Sequence, residues 1–264
     1  LYFFQKITLQ LSASTMRSRL ITYYLGLCTC YWKYTVTDFS EISQSCLLLG
    51  IIYTTLRKDK YMWYKLSFLY SFLVLLKLTY FIFFPFLFIF FLYRNSNKDR
   101  SYILKNLLKS CSFFLPTCFF IAIINFLRFG NPFESGYGST IKFSADFFLR
   151  DWFGYLFSSE RGLFTFSPIL VVALLGLFYV PLKDRKPSCI IGITTLIWYT
   201  TMCFWVSWQG GYCWGNRLLV PVVPLLLLPL VFLDLKSILS KFLLTMTLIG
   251  SSIIQVAASF TKIH

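Results

Sequence analysis

The sequence predicts an all-α fold: a polytopic transmembrane helical bundle of about eight or nine membrane segments with one ordered extracytoplasmic loop. Three observations support this prediction. Of the 264 residues, 57% are hydrophobic and 13% are charged, against roughly 25% charged in a soluble domain. Long apolar runs recur along the chain, and basic residues cluster in the connections between them. We expect residues 1–264 to form a single membrane domain, and the composition excludes a soluble enzyme.

The apolar runs define the expected spans, because a helix needs about 20 apolar residues to cross a bilayer. Residues 66–93 are interrupted by Lys77 and Pro85. This run is too long for one upright span and too short for two complete ones, so we expect a tight helical hairpin with Lys77 near its tip. The other expected spans are 20–33, 42–56, 107–127, 167–182, 188–207, 218–234 and 239–258.

The basic residues predict the orientation of these spans. They concentrate on alternate connections, which the positive-inside rule assigns to the cytoplasm. The opposite connections are 34–41, 128–166 and 208–217, and they hold most of the carboxylates: Asp38, Glu41, Glu134, Asp146, Asp151 and Glu160. We therefore expect polar chemistry on the extracytoplasmic face. Residues 128–166 form the predicted ordered loop, with an interfacial helix around 143–157.

Several classes of site are disfavoured by the sequence. The net charge of +15 is spread in short clusters between apolar runs, so topology explains it better than a nucleic-acid partner does. The single histidine, His264, is the last residue, which argues against Ser–His, Cys–His and His-ligand metal chemistry. Most cysteines lie in apolar stretches and are expected to be small core residues rather than disulfide partners.

The long loop opens with FGNPFESGYG, residues 129–138, in which Glu134 and Tyr137 are displayed on a turn. Asn-Pro favours a turn, and the glycines permit backbone conformations that other residues avoid. Two interpretations fit this segment. It is either a structural turn at a helix end, or it places Glu134 and Tyr137 at the rim of a sugar-binding cleft.

Two basic residues are candidates for contact with a lipid phosphate. Arg161 stands just ahead of a span that starts at Ser167 and Pro168, and Lys77 interrupts an apolar run. Each has a simpler interpretation, because Arg161 can anchor a helix in the interface and Lys77 can extend its ammonium group to the headgroups. The planar guanidinium of Arg161 is nevertheless well suited to a phosphate.

The third outer connection, WVSWQGGYCWGNRLLVPVVPLLLLPL at 205–230, combines tryptophans and glycines with Arg217. Tryptophans such as Trp208 and Trp214 are expected in a membrane-interface belt. The glycine pattern instead indicates a tight turn that brings Arg217 and backbone N–H groups together, where an anion could be held. Helix capping is the expected role of Glu41, which starts a predicted helix.

The chain resembles integral-membrane glycosyltransferases of the GT-C superfamily, in particular bacterial members of the dolichyl-phosphate-mannose protein mannosyltransferase-like group. Three segments carry this resemblance: NPFESGYG at 131–138, SSERGLFTFSPIL at 158–170 and WQGGYCWGNRLLVPVVPLLLLPL at 208–230. Residues 25–41, LGLCTCYWKYTVTDFSE, resemble a span and outer loop of that group. Residues 67–88, SFLYSFLVLLKLTYFIFFPFLF, resemble its hairpin, in which a basic residue precedes a proline. The resemblance covers most of residues 20–230, and the order and spacing of the motifs carry it.

The resemblance implies an inverting transfer of sugar from a polyprenyl-phosphate carrier to an acceptor, on the extracytoplasmic side of a bacterial inner membrane. The substrate-binding candidates are Glu134, Tyr137, Trp208 and Trp214. The lipid-phosphate candidates are Lys77, Arg161 and Arg217. No nucleotide is needed, since the leaving phosphate is already on lipid. A divalent metal ion is compatible with this chemistry, and no residue is assigned to hold one.

The family's catalytic carboxylate is expected in an acidic loop before residue 20, yet residues 1–19 contain no Asp or Glu. The catalytic base is therefore not assigned. Together with the start at Leu1, this predicts an N-terminally truncated fragment of a larger protein, or a degenerate copy.

Two other functions stay open from the sequence. A transporter would explain the spans, the interruption near Pro85 and the embedded Lys77. It predicts internal repeats and charge at mid-membrane depth, whereas most charges here lie in connections. The second alternative is a non-catalytic subunit or decayed paralogue of a glycosylation system, which the missing acidic loop favours.

Overall fold

A computed structural model describes residues 1–12, 14–57, 59–134, 136, 143–211 and 213–260. Over these residues the chain is helical and contains no β-strand; Phe143 and Trp205 form an isolated antiparallel bridge. The predicted all-α class is confirmed. In chain order the α-helices are α1 (Tyr2–Ser12), α2 (Thr15–Leu27), α3 (Tyr31–Tyr34), α4 (Glu41–Arg57), α5 (Met62–Leu76), α6 (Phe84–Asn95), α7 (Arg100–Cys111), α8 (Phe114–Phe129), α9 (Phe148–Phe157), α10 (Leu163–Phe166), α11 (Ile169–Leu175), α12 (Arg185–Cys203), α13 (Val223–Leu227) and α14 (Ile238–Phe260).

Within the described residues, three helical stretches are long and apolar enough to cross a membrane. They are Leu78–Asn95, Arg100–Phe129 and Ile238–Phe260. Helix α8 contains no buried residue, and Leu115, Phe119 and Leu127 are strongly exposed, as expected for a helix with one side against lipid. These stretches and the composition indicate a membrane protein. The total of about eight or nine membrane segments stays a prediction.

The chain forms two compact units. The first unit comprises Leu1–Leu49 and Lys142–His264, and the second comprises Gly50–Ile141. Two of the three candidate membrane spans belong to the second unit, and Ile238–Phe260 belongs to the first.

In the second unit, α5 and α6 form the predicted helical hairpin. Helix α5 ends at Leu76, Lys77 is extended (φ −158°, ψ 115°), and a 3₁₀ segment at Leu78–Phe83 leads into α6. The two helices are antiparallel, because Trp63 near the start of α5 packs on Phe91 near the end of α6, with ring centroids 4.9 Å apart. The predicted position of Lys77 at the tip is confirmed.

Polar side chains fix the remaining helices of the second unit. Asn106 of α7 donates a hydrogen bond of 2.8 Å to Asn95 at the end of α6. Ser67 of α5 accepts hydrogen bonds from the backbone N–H groups of Phe113 (3.0 Å) and Phe114 (3.2 Å). Since the first N–H groups of a helix lack partners within it, α5 supplies the N-terminal cap of α8.

In the first unit, α14 packs through a polar stripe. Its buried residues are Ser251, Gln255 and Ala258. Ser251 accepts a hydrogen bond of 3.0 Å from the N–H of Ile169, and Gln255 donates one of 2.7 Å to the carbonyl of Phe166. These bonds bracket the break between α10 and α11, where backbone groups would otherwise be unpaired among apolar side chains.

Two predicted spans of the first unit are divided into short pieces. The run predicted at 167–182 is α11 continued by a 3₁₀ segment at Gly176–Tyr179, and the run predicted at 218–234 is α13 flanked by 3₁₀ segments at Arg217–Val222 and Leu228–Phe232. Prolines cause the second division, because a proline lacks the backbone N–H and clashes with the preceding turn. They are Pro221, Pro224 and Pro229.

The predicted interfacial helix starts later than expected. It was placed around 143–157, and α9 begins at Phe148. The difference arises because Phe143 pairs with Trp205 and the N–H of Ser144 donates to the carbonyl of Phe204 at 2.8 Å. The exposed side chains of α9 repeat every four residues at Leu149, Phe153 and Phe157, which gives the apolar face expected of a helix lying in a membrane interface.

Candidate functional site in the 205–217 loop

The candidate site is the loop at 205–217, between α12 and the 3₁₀ segment at Arg217–Val222. Gly210, Gly211 and Gly215 adopt positive φ angles of 69°, 83° and 63°, a conformation that favours glycine. A Cβ at Gly215 would also lie 3.0 Å from the Phe166 ring. The tight turn predicted from the glycines is therefore present, and it packs against the end of α10.

Arg217 forms the centre of the site through an ion pair with Glu41. Its Nε donates a hydrogen bond of 2.6 Å to Glu41 Oε1, and its guanidinium carbon lies 3.8 Å from the centroid of the Phe39 ring. The Glu41 side chain is 4% exposed, whereas that of Arg217 is 31% exposed. Within the described part of the chain, the two terminal amino groups of Arg217 make no hydrogen bond. They are the groups that can hold an anion.

Several buried polar atoms of Glu41 and of the residues just before Arg217 have unused hydrogen-bonding capacity. Among the described residues, no partner is found for Glu41 Oε2, for either side-chain polar atom of Asn216, or for Trp214 Nε1. Asn216 is only 1% exposed. Buried polar groups are nearly always hydrogen-bonded, so such a cluster calls for a bound partner. Because it offers both donors and acceptors, it suits water or the hydroxyl groups of a ligand.

Tyr34 and Phe166 hold Trp214 in place. The Tyr34 hydroxyl donates a hydrogen bond of 3.1 Å to the Trp214 carbonyl, and the Phe166 and Trp214 rings meet edge to face with centroids 5.1 Å apart. Burial raises the pKa of the Tyr34 phenol, so the hydroxyl keeps its proton and remains a donor. The loop is thereby fixed to α3 and α10.

Arg161 brings a second cation to the loop. Its Nη1 donates to the carbonyl of Cys213 and also lies 3.2 Å from the sulfur of Cys213. All its hydrogen bonds to described residues come from Nη1, and its other guanidinium nitrogens make none. Arg161 therefore supports the turn and still has donors for a ligand.

Trp208 lies against α9. Its ring meets Tyr155 edge to face with centroids 5.8 Å apart, and a Cβ at Gly154 would lie 3.4 Å from it. The Tyr155 hydroxyl in turn donates a hydrogen bond of 3.0 Å to the Met202 carbonyl. These contacts make Trp208 a support for the loop.

The other predicted site residues belong to the second unit or lie outside the described residues. Glu134 is half-buried, and its Oε1 accepts a hydrogen bond of 3.1 Å from the N–H of Gly136 within its own turn. Lys77 is half-buried at the hairpin tip. Tyr137 lies outside the described residues. The loop thus joins Arg161, Trp214 and Arg217, three of the residues singled out from the sequence.

The first unit also contains an apolar cavity of about 340 Å³, which lies within the range of about 300–1,000 Å³ typical of ligand sites. Helix α12 lines it with Ile191, Thr195 and Tyr199. Leu156 and Phe164 also line it, and these residues lie on either side of Arg161 along the chain. The walls are therefore suited to hydrocarbon.

Two features of the site are not predicted from the sequence: the ion pair that Glu41 forms, and the presence of Asn216. Both residues could be noticed in the sequence, since Glu41 is one of the six carboxylates in the predicted outer connections and Asn216 adjoins Arg217. The sequence does not show that Glu41 and Arg217 lie close together, because they are 176 residues apart.

Neither a metal-binding cluster nor a match to a known protein adds a residue to the site. Over the described ranges, no group of three or more His, Cys, Asp or Glu side chains is placed to hold a metal ion. No protein-family model, curated protein or solved structure matches the chain.

Proposed function

We propose that this chain is part of an integral-membrane glycosyltransferase of the GT-C type, which takes sugar from a polyprenyl-phosphate carrier and acts on the extracytoplasmic face of a bacterial inner membrane. The observation that supports it best is the set of unused donors and acceptors around the Glu41–Arg217 ion pair. A cation with free amino groups lies there beside buried polar atoms, in a unit that also contains an apolar cavity.

A lipid-linked sugar has three chemical parts, and the proposal assigns a place to each. The phosphate contacts Arg217 and Arg161, whose guanidinium groups are matched to phosphate oxygens. The sugar hydroxyls contact Glu41, Asn216 and the indole N–H of Trp214. The isoprenoid tail occupies the apolar cavity, because burial of hydrocarbon stabilises such a complex by roughly 25 cal/mol per Å².

Four other predicted site residues are not assigned a contact with the bound lipid-linked sugar. Glu134, Tyr137 and Lys77 keep the roles that the resemblance implies, as predictions. Trp208 contributes by holding the loop against α9.

The break between α10 and α11 is the observation that favours a transporter, because discontinuous helices often form the binding sites of transporters. Here the freed backbone groups are already paired, Ile169 with Ser251 and Phe166 with Gln255. The break is closed by protein side chains, whereas the loop at 205–217 has unpaired polar atoms. We therefore favour the glycosyltransferase.

Binding of undecaprenyl phosphate tests this proposal. The full chain, purified in detergent, is titrated with undecaprenyl phosphate, and the bound lipid is quantified by native mass spectrometry. We expect Arg217→Gln and Arg161→Gln each to weaken binding about tenfold or more, since a charge-assisted hydrogen bond contributes about 1.5–3 kcal/mol. Arg217→Lys keeps the charge but loses the planar guanidinium group. Its affinity for undecaprenyl phosphate should lie between that of the two glutamine variants and that of the parent.

Arg128→Gln is the matched control, because Arg128 is exposed at the end of α8 and forms no ion pair with any described carboxylate. It should bind undecaprenyl phosphate as the parent does. If Arg217→Gln, folded by circular dichroism, binds as tightly as Arg128→Gln, the loop is not the phosphate site and the proposal is wrong.

A further inference from the structure

Helix α7 presents an exposed surface with two adjacent strips. Leu104 and Leu108, one turn apart, are 57% and 64% exposed. Lys105 and Lys109 are also one turn apart and follow them by one position; Lys105 is exposed and Lys109 half-buried. Since each residue turns a helix by about 100°, an apolar strip and a basic strip lie side by side.

The opposite face of α7 is fixed to the rest of the second unit. Asn106, 3% exposed, donates its hydrogen bond to Asn95, and Leu107 and Ser110 line a pocket rich in aromatic side chains. The exposed strips are therefore held in one orientation. The contacts of α7 with the second unit are made by its opposite face and leave these strips exposed.

Two tyrosines border the basic strip. The Lys98 ammonium lies 5.8 Å from the Tyr102 ring centroid, and that of Lys109 lies 6.0 Å from Tyr64. Both rings are partly exposed. Tyrosines with an apolar body and a polar tip prefer the headgroup level of a membrane.

The position of α7 in the chain sets its depth. Helix α7 forms the first part of the candidate span Arg100–Phe129, and α8, which has no buried residue, forms the rest. These 30 residues exceed the roughly 20 that a helix needs to cross a bilayer, so α8 is the part that spans and α7 precedes it. Residues that precede a spanning helix lie where that helix enters the bilayer. An amphipathic helix at that point, with basic residues beside apolar ones, lies in the plane of the interface.

The positive charge of this region is not neutralised by neighbouring carboxylates. Over the described residues, none of the five basic residues in and before α7 forms an ion pair: Arg94, Lys98, Arg100, Lys105 and Lys109. Asp99, between Lys98 and Arg100 in the sequence, also forms no ion pair with a described residue, so five positive charges stand against one negative charge in this stretch. The complementary partner is therefore negatively charged.

We propose that α7 lies on the membrane surface and binds the headgroups of anionic phospholipids, with Leu104 and Leu108 inserted among the acyl chains and Lys105 and Lys109 against the phosphates. This surface is separate from the loop at 205–217, and its function does not depend on glycosyl transfer. It would anchor the second unit in membranes rich in anionic lipid.

The test compares phosphatidylglycerol with phosphatidylcholine carrying the same acyl chains. Each lipid is titrated into the full chain in detergent, and bound lipid is counted by native mass spectrometry. The parent should retain phosphatidylglycerol preferentially. The triple variant Arg100→Gln, Lys105→Gln, Lys109→Gln should lose affinity by about fivefold for each charge removed, and high salt should weaken the parent in the same direction.

The matched control removes three exposed charges elsewhere, with Lys183→Gln, Arg185→Gln and Lys186→Gln before and at the start of α12. It should retain phosphatidylglycerol as the parent does. A second variant, Leu104→Ser with Leu108→Ser, keeps every charge and should still weaken binding because the apolar strip is lost.

Equal losses in the two triple variants would overturn the proposal, since overall positive charge would then explain binding. Parent-like binding by the leucine variant would also overturn it, because the helix would not be inserted. Equal retention of the two lipids by the parent would show that headgroup charge is not recognised.

Discussion

Glu41 and Arg217 illustrate what single residues contribute to this site. The sequence placed Glu41 at the start of a helix, where a carboxylate suits the helix dipole, and α4 does begin there. The same carboxylate is also the buried partner of Arg217. One side chain thus serves a local and a long-range role, and only the local one can be predicted from neighbouring residues.

The Glu41–Arg217 ion pair should stabilise the fold, and the free energies of unfolding of its variants should show that the two side chains are coupled. Removing Arg217 leaves the Glu41 carboxylate buried without its cation, so Arg217→Gln should cost about 2 kcal/mol, less than a fully buried pair because Arg217 is partly exposed. Adding Glu41→Gln should recover roughly 1 kcal/mol of that loss. Thermal unfolding in detergent measures both variants. Additive losses in the double variant would mean that the two side chains are not coupled.

At the scale of elements, the first unit depends on a close approach between two irregular segments. A Cβ added at Gly176 would lie 1.9 Å from the carbonyl oxygen of Pro229. Gly176 has an ordinary helical φ of −60°, so the requirement for glycine is one of space. The segments at Gly176–Tyr179 and Leu228–Phe232 therefore pack backbone against backbone.

Gly176→Ala should destabilise the protein by about 1–3 kcal/mol or more, because overpacking forces the two segments apart. Gly250→Ala is the control, since a Cβ there meets nothing within 4 Å and alanine favours a helix over glycine by about 1 kcal/mol. Unfolding temperatures in the same detergent should fall for the first variant and not for the second. Equal temperatures for both would contradict the close packing.

Some of these elements could be predicted from the sequence and others could not. The hairpin at Lys77 could be predicted, because a charged residue and Pro85 interrupt an otherwise continuous apolar run. The late start of α9 could not, because Phe143 is paired with Trp205 from a distant segment. The close approach of Gly176 to Pro229 was equally invisible, since hydropathy gives the length of an apolar run and not what packs against it.

At the scale of the whole molecule, the two units differ in what they contain. The second unit has two of the candidate spans and the basic surface of α7. The first unit has the loop with the Glu41–Arg217 pair and the apolar cavity. The composition and the three candidate spans explain why a membrane protein could be predicted from the sequence alone. The site could be predicted only in part, as a loop with Arg217 and Trp214, because its buried partners come from other segments.

We propose that the first unit holds a polyprenyl phosphate, with its tail in the apolar cavity and its phosphate at Arg217. The most direct measurement is photocrosslinking of the reconstituted full chain with undecaprenyl phosphate that carries a diazirine in its isoprenoid tail, followed by peptide mapping. We predict adducts on the cavity wall formed by Ile191, Thr195 and Tyr199. They should be competed by unlabelled undecaprenyl phosphate but not by phosphatidylglycerol, and they should be reduced in Arg217→Gln. Adducts spread over the lipid-facing surface of α8, or unchanged by Arg217→Gln, would contradict the account.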